Sequence, residues 1–329
     1  MLARAAVVLT LLMGAASAPG EEAVRTGSIR YAPAANEDIV AERFRLEAHT
    51  FEFEQLPLAT SSEAIEIFEV TFPSPVETPT PENNTVHCEY FRPVTAGREE
   101  QVPAVIVLHI LGGDFDLARL FGRTLAHEGV AALFLKMPYY GPRQPADGSR
   151  SRMVTPDPRE TVAGMTQAVL DIRRATAWLG QQVEIDPERL GIFGISLGGI
   201  TGALAAGAEP RLSRVCLMLA GGDIGRVGWE SREISEVRER WLAGGGTKET
   251  FLETMRVIDP AEYAENVRGR DILMLNARYD EVIPPECTES LWRKLGEPEI
   301  VWLDAGHYSA MRFIFDGLNR VTRFFDRPL

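Results

Sequence analysis

The chain has 329 residues, of which 45% are hydrophobic and 25% are charged, and this composition is typical of a folded globular protein. The 47 acidic residues outnumber the 34 Lys and Arg residues, which gives a formal net charge of -13 at pH 7. Because a field of this sign repels nucleic acid and anionic membranes, we expect neither as a partner.

The first 18 residues have the pattern of a secretory signal peptide. A basic start that ends at Arg4 is followed by an apolar run over residues 5–13 and by the small residues Ala16-Ser17-Ala18. The run is shorter than the roughly 20 residues of a transmembrane helix, and no later stretch of that length lacks charges. We therefore expect a secreted or periplasmic protein without an integral membrane segment after cleavage. An ordinary buried N-terminal helix is the alternative.

Residues 19–63 are weakly patterned and are predicted only as an N-terminal extension. Residues 64–72 and 85–92 alternate apolar and polar side chains with a period near two, and the segment between them is rich in Pro, Glu and Asn. This pattern predicts an antiparallel pair of strands at the edge of a sheet.

From about residue 102 the chain alternates short apolar runs with longer segments of helical periodicity. The runs predict buried strands over residues 104–109, 131–135, 190–195, 214–219, 271–276 and 299–303. The segments between them predict helices over residues 115–127, 159–179, 197–208, 286–295 and 308–325. Such alternation indicates an α/β fold with a mostly parallel central sheet and helices on both faces. Residues 223–268 interrupt it and predict a small helical lid, with helices over 230–242 and 248–257.

One glycine motif lies between the predicted strand 190–195 and the predicted helix 197–208. It reads Gly194-Ile195-Ser196-Leu197-Gly198, the G-x-S-x-G pattern of a nucleophile elbow, in which glycines allow a sharp turn that presents the serine above the sheet. A purely structural glycine-rich turn is the alternative. In this topology the amide after the nucleophile, here that of Leu197, contributes to an oxyanion hole.

A serine nucleophile needs a base, and in this topology the order along the chain is Ser, acid, His. His307 follows the last predicted strand, and of the five histidines it alone follows Ser196. Asp280 follows the predicted strand 271–276 and is the predicted acid that orients the imidazole. Asp304, Glu281 and Asp223 remain alternatives for the acid.

The segment Tyr139-Tyr140-Gly141-Pro142-Arg143 follows the predicted strand 131–135 and should lie beside the cleft. Tyr140 and Arg143 are therefore candidate substrate-binding residues, with Arg143 as a contact for a substrate carboxylate. A loop that packs its tyrosines is an equal alternative. Because the chain has no CxxC, no HxxxH and no glycine-rich phosphate motif, we expect neither a metal nor another cofactor. The three cysteines allow at most one disulfide.

The elbow, the loop Asp280-x-x-x-Pro284 and the pair Gly306-His307 resemble the α/β-hydrolase superfamily. Within it they are similar to the branch of dienelactone hydrolases, acetyl xylan esterases and prolyl oligopeptidases. The resemblance covers about residues 64–325 and implies an α/β-hydrolase domain over residues 64–329. It also implies a second oxyanion amide after the strand 104–109, which by position is that of Leu111. Dienelactone hydrolases carry Cys at the elbow, where this chain has Ser196.

These features together predict a secreted serine hydrolase of small-molecule carboxylic esters. Ser196 would form an acyl-enzyme, His307 would transfer the proton, and Asp280 would orient His307. A peptidase similar to prolyl oligopeptidase is one alternative, although the roughly 80 residues before the core are too few for a propeller domain. A non-catalytic binding protein on the same scaffold is the other alternative. The sequence makes no prediction of the oligomeric state.

Overall fold

A mixed ten-stranded sheet forms the centre of the described chain, with strand order β1-β2-β3-β4-β6-β5-β7-β8-β9-β10. The computed structural model describes residues 24–59, 61–95, 100–113, 115–148, 152–230 and 235–327, so the predicted signal peptide lies outside the described residues. The strands are β1 Arg25–Tyr31, β2 His49–Pro57, β3 Ile65–Pro73, β4 Thr85–Pro93, β5 Val102–Leu108, β6 Ala131–Leu135, β7 Ile185–Ile195, β8 Arg214–Met218, β9 Asp271–Ala277 and β10 Glu299–Leu303.

The strands from β5 to β10 form the parallel part of the sheet. The helices are α1 Phe115–His127, α2 Pro158–Leu179, α3 Leu197–Ala208, α4 Ile224–Glu230, α5 Ser235–Ala243, α6 Lys248–Arg256, α7 Pro285–Lys294 and α8 Ile314–Asp326. Helices cover both faces of the sheet, as the sequence predicts: α1 and α8 pack on one face, and α2, α3 and α7 pack on the other.

Strand β5 illustrates why the parallel strands read as continuous apolar runs. Val105 and Val107 pack against one face of the sheet, whereas Ile106 and Leu108 pack against the other. Successive side chains of a strand point to opposite faces, and both faces are buried here, so every position is apolar. The carboxyl ends of these strands meet at one edge of the sheet, where the candidate site lies.

The N-terminal part of the chain corrects two expectations. Strands β3 and β4 pair antiparallel as predicted, but they lie inside the sheet, because β2 pairs with β3 and β4 pairs with β6. Residues 19–63, predicted only as an extension, supply β1 and β2, and β1 forms the edge. Fully buried Arg173 of α2 joins this part to the core through ion pairs with Glu37 at 2.6 Å and Glu209 at 3.4 Å.

The insertion over residues 223–268 contains α4, α5, α6 and a 3₁₀ helix, Pro260–Val267. Helix α5 falls within the predicted helix over 230–242 apart from its last residue, and residues 231–234 lie outside the described residues. Helix α6 begins where Thr247 and Thr250 form a reciprocal capping box, which satisfies backbone donors of its first turn. Over the described part of the chain, no helix is long and apolar enough to cross a membrane.

Candidate active site

Ser196 lies at a sharp turn between β7, which ends at Ile195, and α3, which begins at Leu197. Its backbone has φ 55° and ψ -117°, a conformation that residues other than glycine rarely adopt. The Ser196 N–H donates a hydrogen bond of 2.8 Å to the Met218 carbonyl of β8, which holds the turn on the sheet. The geometry is that of a nucleophile elbow.

The glycines of the motif are required by close backbone approach. A side chain at Gly194 would collide with the Gly198 carbonyl, and a Cβ at Gly198 would lie 2.7 Å from the carbonyl oxygens of Leu108 and His109. A Cβ at Gly199 would lie 2.9 Å from the Met218 carbonyl oxygen. The obstacles are backbone atoms, which cannot move aside as a flexible side chain can. The backbone of the turn can therefore pack this closely only if these positions are glycine.

The structure brings Ser196, His307 and Asp280 into one hydrogen-bonded series. Ser196 Oγ lies 2.9 Å from His307 Nε2, and His307 Nδ1 lies 2.8 Å from Asp280 Oδ2 and 3.0 Å from Oδ1. The Asp280 carboxylate accepts a hydrogen bond from Nδ1, so this nitrogen carries the hydrogen and Nε2 is left to accept the hydroxyl proton of Ser196. His307 and Asp280 are both buried. This is the arrangement that a general base and its orienting acid require.

Asp280 is fixed by the turn that follows it. Its Oδ1 accepts hydrogen bonds from the backbone N–H groups of Val282 at 2.9 Å and Ile283 at 2.7 Å. Asp side chains commonly bond to the backbone in this way in turns. The same carboxylate thus closes its own loop and holds the imidazole.

The three alternative acids occupy other positions. Glu281 Oε2 accepts the backbone N–H of His307 at 2.9 Å, and this bond lowers the pKa of Glu281. A side chain at Gly306 would force the same carboxylate to move. Asp304 is exposed at the end of β10, and the backbone carbonyl of Asp223 accepts the Arg226 N–H at the start of α4. Glu281 therefore positions the backbone of His307, whereas Asp280 contacts its ring.

The loop after β5 carries the predicted oxyanion residue Leu111. Buried His109 fixes the position of this loop through two hydrogen bonds. His109 Nδ1 donates to the Ile110 carbonyl at 2.8 Å, and Nε2 accepts the Met137 N–H at 3.1 Å. Burial lowers the pKa of His109 to about 4, so the ring is neutral at pH 7. Leu197 is the first residue of α3, where backbone N–H groups have no partner within the helix. The use of both amides as oxyanion donors stays a prediction.

A small apolar cavity adjoins the serine. Ser196, Leu111 and Leu197 line it together with side chains of α2, α3, α4, α6 and the loop after β9, and its volume is about 120 Å³. The apolar lining includes Met165, Ile200, Ile224, Val227, Met255 and Ile258. Apolar spacing predicts that these residues are buried, but it does not predict that four separate helices meet beside Ser196.

The two predicted substrate-binding residues have other surroundings. The Arg143 guanidinium is fully buried, forms a 2.8 Å ion pair with Asp171 and donates to the Lys136 and Asn83 carbonyls at 3.1 and 2.8 Å. This corrects the expectation that it contacts a substrate carboxylate, because its charge is already neutralised in the interior. Buried Tyr140 packs edge-on against His109, with ring centroids 4.5 Å apart, and supports the loop that carries Leu111.

The described residues include the three cysteines and side chains of the types that bind metal ions. Cys88, Cys216 and Cys287 are all buried and unpaired there. The same residues contain no group of three or more His, Cys, Asp or Glu side chains placed to hold a metal ion.

A serine at a strand–turn–helix elbow of a mostly parallel sheet, hydrogen-bonded to a histidine after the last strand, defines the α/β-hydrolase class. A family model described as alpha/beta hydrolase domain containing 18 matches residues 54–224, and the prolyl oligopeptidase family model matches residues 165–329. The chain therefore belongs to the α/β-hydrolase superfamily. The two matches overlap over residues 165–224, which include Ser196.

An uncharacterized protein of Mycobacterium tuberculosis is 29% identical over 189 residues. The match covers 54% of this chain and 42% of that protein, so the chain spans less than half the length of this relative.

Solved structures of esterases have the same fold. Acetyl xylan esterase 1 of a Thermoanaerobacterium species is 19% identical with a TM-score of 0.62, and covers 80% of this chain and 87% of its own. An acetyl xylan esterase of a Paenibacillus species is 20% identical with a TM-score of 0.64, and covers 82% and 88%. A cold-adapted esterase from an Arctic intertidal metagenomic library is 15% identical with a TM-score of 0.53, and covers 80% and 96%. At these identities the likeness concerns the fold alone.

Proposed function

We propose that the protein is a serine hydrolase of carboxylic esters with a short acyl group. The observation that carries this proposal is the series Ser196–His307–Asp280 beside an apolar cavity that also contains Ser196. His307 lies between the other two residues, because its Nε2 is 2.9 Å from Ser196 Oγ and its Nδ1 is 2.8 Å from Asp280 Oδ2. Ser196 Oγ is therefore at the end of the hydrogen-bonded series. A hydroxyl activated in this way, next to an apolar cavity, is suited to attack the carbonyl carbon of a bound ester.

The reaction proceeds in two halves. Ser196 Oγ attacks the carbonyl carbon while His307 Nε2 takes its proton, and the amides of Leu111 and Leu197 stabilise the resulting oxyanion. When the C–O bond to the alcohol breaks, His307 returns this proton to the alcohol oxygen. Water then attacks the acyl carbon while His307 takes one of its protons. When the bond between the acyl carbon and Ser196 Oγ breaks, His307 returns this proton to Oγ, which releases the carboxylic acid and restores Ser196. Asp280 accepts the hydrogen bond of Nδ1 and stabilises the imidazolium in both halves.

The cavity volume supports a short acyl group. An engineered apolar cavity of about 150 Å³ in another protein holds one benzene molecule, which has six carbons. The cavity of about 120 Å³ beside Ser196 is smaller, so we expect acyl groups of two to about five carbons.

Labelling and hydrolysis test the proposal together. A fluorophosphonate should label Ser196, and Ser196→Ala should abolish both labelling and the hydrolysis of p-nitrophenyl esters. Activity should be highest on acyl chains of two to about five carbons and should fall on longer ones. Labelling of another residue with full activity in Ser196→Ala would overturn the assignment.

Peptide bond hydrolysis is the second candidate, because the prolyl oligopeptidase family model matches residues 165–329. The same series of side chains can cleave amides. Turnover of a prolyl peptide amide at a kcat/KM above that of the best ester would favour the peptidase. Absence of turnover on both substrate classes, without labelling, would favour a binding protein on this scaffold.

Export is a further part of the proposal and rests on the sequence of residues 1–18. The mature protein from its native compartment should lack about the first 16 to 20 residues. N-terminal sequencing decides this, and an intact Met1 on the exported protein would contradict it.

A further inference from the structure

His307 does not line the cavity proposed above for the acyl group. The cavity is lined by Ser196, Leu111, helices α2, α3, α4 and α6 and the loop after β9, and neither His307 nor the segment after it is among the described residues that line it. His307 reaches Ser196 Oγ from the loop that follows β10. An ester whose acyl group fills the cavity therefore directs its alcohol toward His307.

Exposed apolar side chains are concentrated at this side. Ten large hydrophobic residues are exposed in the described part of the chain, and four of them lie on the segments that follow β9 and β10, the strands before Asp280 and His307. These four, with their exposed fractions, are Tyr279 (64%), Tyr308 (61%), Met311 (53%) and Phe315 (75%). Single exposed apolar residues are ordinary on protein surfaces, but a cluster beside a reactive group indicates a binding surface.

Tyr308 and Met311 share one face of a 3₁₀ segment that begins next to His307, and Phe315 lies in the first turn of the helix that follows. The 3₁₀ helix Ser309–Phe313 follows Tyr308 and continues directly into α8. Tyr308 and Met311 are three residues apart, which superimposes them along a 3₁₀ turn, and Phe315 follows four residues later. The Tyr308 ring lies edge-on to the His307 ring, with centroids 5.6 Å apart.

Tyr279 lies beside this face on the neighbouring loop. Its backbone N–H donates to the Ala305 carbonyl at 3.0 Å, which joins the loop that carries Asp280 to the loop that carries His307. A Cβ at Gly306 would lie 3.2 Å from the Tyr279 carbonyl oxygen, so the two loops are in close contact. Both tyrosines thus flank the residues that hold and transfer the proton.

We propose that Tyr279, Tyr308, Met311 and Phe315 form an apolar rim that binds the alcohol portion of the ester, and that the substrates have a hydrophobic or aromatic alcohol. This inference rests on the proposed ester hydrolysis. His307 must lie next to the alcohol oxygen to return its proton when the C–O bond breaks. The alcohol leaves past Tyr308, and its apolar part covers the exposed rings.

Acetate esters of alcohols with similar acidity test the rim without changing the acyl group. Relative to methyl acetate, kcat/KM should rise at least tenfold for hexyl or benzyl acetate, because each methylene that becomes buried contributes about fourfold. Tyr308→Ser and Phe315→Ser should each lower this ratio by threefold or more. Val183→Ser is the matched control, since Val183 is exposed and precedes β7 at the opposite end of the strand from Ser196. It should leave the ratio unchanged.

Binding of benzyl alcohol to the Ser196→Ala protein, measured by saturation-transfer NMR, separates the rim from the chemistry. Binding that is lost in the Ser196→Ala, Phe315→Ser double variant supports the rim even if no ester is hydrolysed. Hydrolysis of methyl acetate with a benzyl-to-methyl ratio near one in all variants overturns the rim and leaves the ester hydrolase intact. Stronger binding of glucose than of benzyl alcohol, or Phe315-dependent binding to phosphatidylcholine vesicles without alcohol binding, would also overturn it.

Discussion

Enlarging the acyl cavity should change which acyl chain the protein prefers. Met255 of α6 is buried and lines the cavity, and it approaches α4, where a Cβ at Gly225 would lie 3.4 Å from the Met255 Cβ. Met255→Ala removes three heavy atoms. At about 30 Å³ for a group the size of a water molecule, this adds about 90 Å³ before the surroundings relax. The cavity would then accept about three more carbons.

The size of the effect follows from burial. Each buried methylene contributes about 0.8 kcal/mol, or about fourfold, so three methylenes set an upper limit of about 60-fold on the change in selectivity. Because α4 and α6 can partly collapse into the space, we expect the octanoate-to-butanoate ratio of kcat/KM to rise by about fivefold to 60-fold. The free energy of unfolding should fall by about 2 to 5 kcal/mol, as for other Met→Ala changes in cores.

The assay compares p-nitrophenyl esters from acetate to dodecanoate and measures unfolding by urea. Met274→Ala is the matched control, because Met274 is fully buried in β9, loses the same atoms and does not line the cavity. It should lose stability without a change in the acyl profile. The assignment of the cavity fails if Met255→Ala folds and keeps the butanoate preference, or if both variants shift the profile equally.

Three further changes test how the site is held together. Asp280→Asn should lower turnover by about 10⁴, as in a comparable triad, whereas Asp304→Asn should be nearly normal; turnover on one ester, with circular dichroism as a check of folding, compares them. Glu281→Gln weakens the bond to the His307 backbone, so kcat should fall by roughly tenfold while KM is unchanged, and a changed KM alone would contradict a positioning role. Since the pKa of His109 is lowered from 6.5 to about 4, the unfolded chain binds a proton between these values that the folded chain does not, and stability falls as the pH is lowered through this window. The free energy of unfolding, measured with urea, should fall between pH 7 and pH 4.5 in both the unchanged protein and His109→Gln. The fall should be smaller by roughly 2 to 3 kcal/mol in His109→Gln, and an equal fall in the two proteins would refute a neutral buried ring.

Most of the fold from residue 102 onward could be predicted because local pattern and tertiary burial agree there. Helices α1 and α3 and strands β6 and β10 have the bounds that their apolar spacing predicts. Strand β7 begins at Ile185, five residues before the predicted start. The added residues 186–189 are polar apart from Pro187, so the apolar run that predicted the strand does not include them.

The N-terminal strands illustrate the limit of pattern reading. Strand β2 alternates buried and exposed residues, with Phe51 and Phe53 on the buried side, but its partner β1 contains Gly27 and few apolar residues. Their place in the sheet depends on pairing with β3 and on contacts such as that of Glu37 with Arg173, which is 136 residues away in sequence. Local spacing contains no information about such contacts.

The catalytic candidates and the substrate candidates differ in the same way. Ser196, Asp280 and His307 each follow a recognisable strand, and in a parallel sheet the carboxyl ends of neighbouring strands converge on one edge. Their proximity is thus a consequence of topology. Topology does not determine the direction of a side chain within a loop. The Arg143 side chain points into the interior, where Asp171 of α2 neutralises its charge.

The residues proposed to react with the ester and most of the residues proposed to select it lie on different segments of the chain. The proposed nucleophile, acid and base lie just after the ends of β7, β9 and β10, where the buried parallel sheet fixes their spacing. Helices α4 and α6 of the insertion line the cavity proposed for the acyl group, and the apolar rim proposed for the alcohol lies on the segments that carry Tyr279 and Tyr308. Since the insertion and the rim belong to different segments, a change in one can alter acyl or alcohol preference without displacing Ser196 from His307.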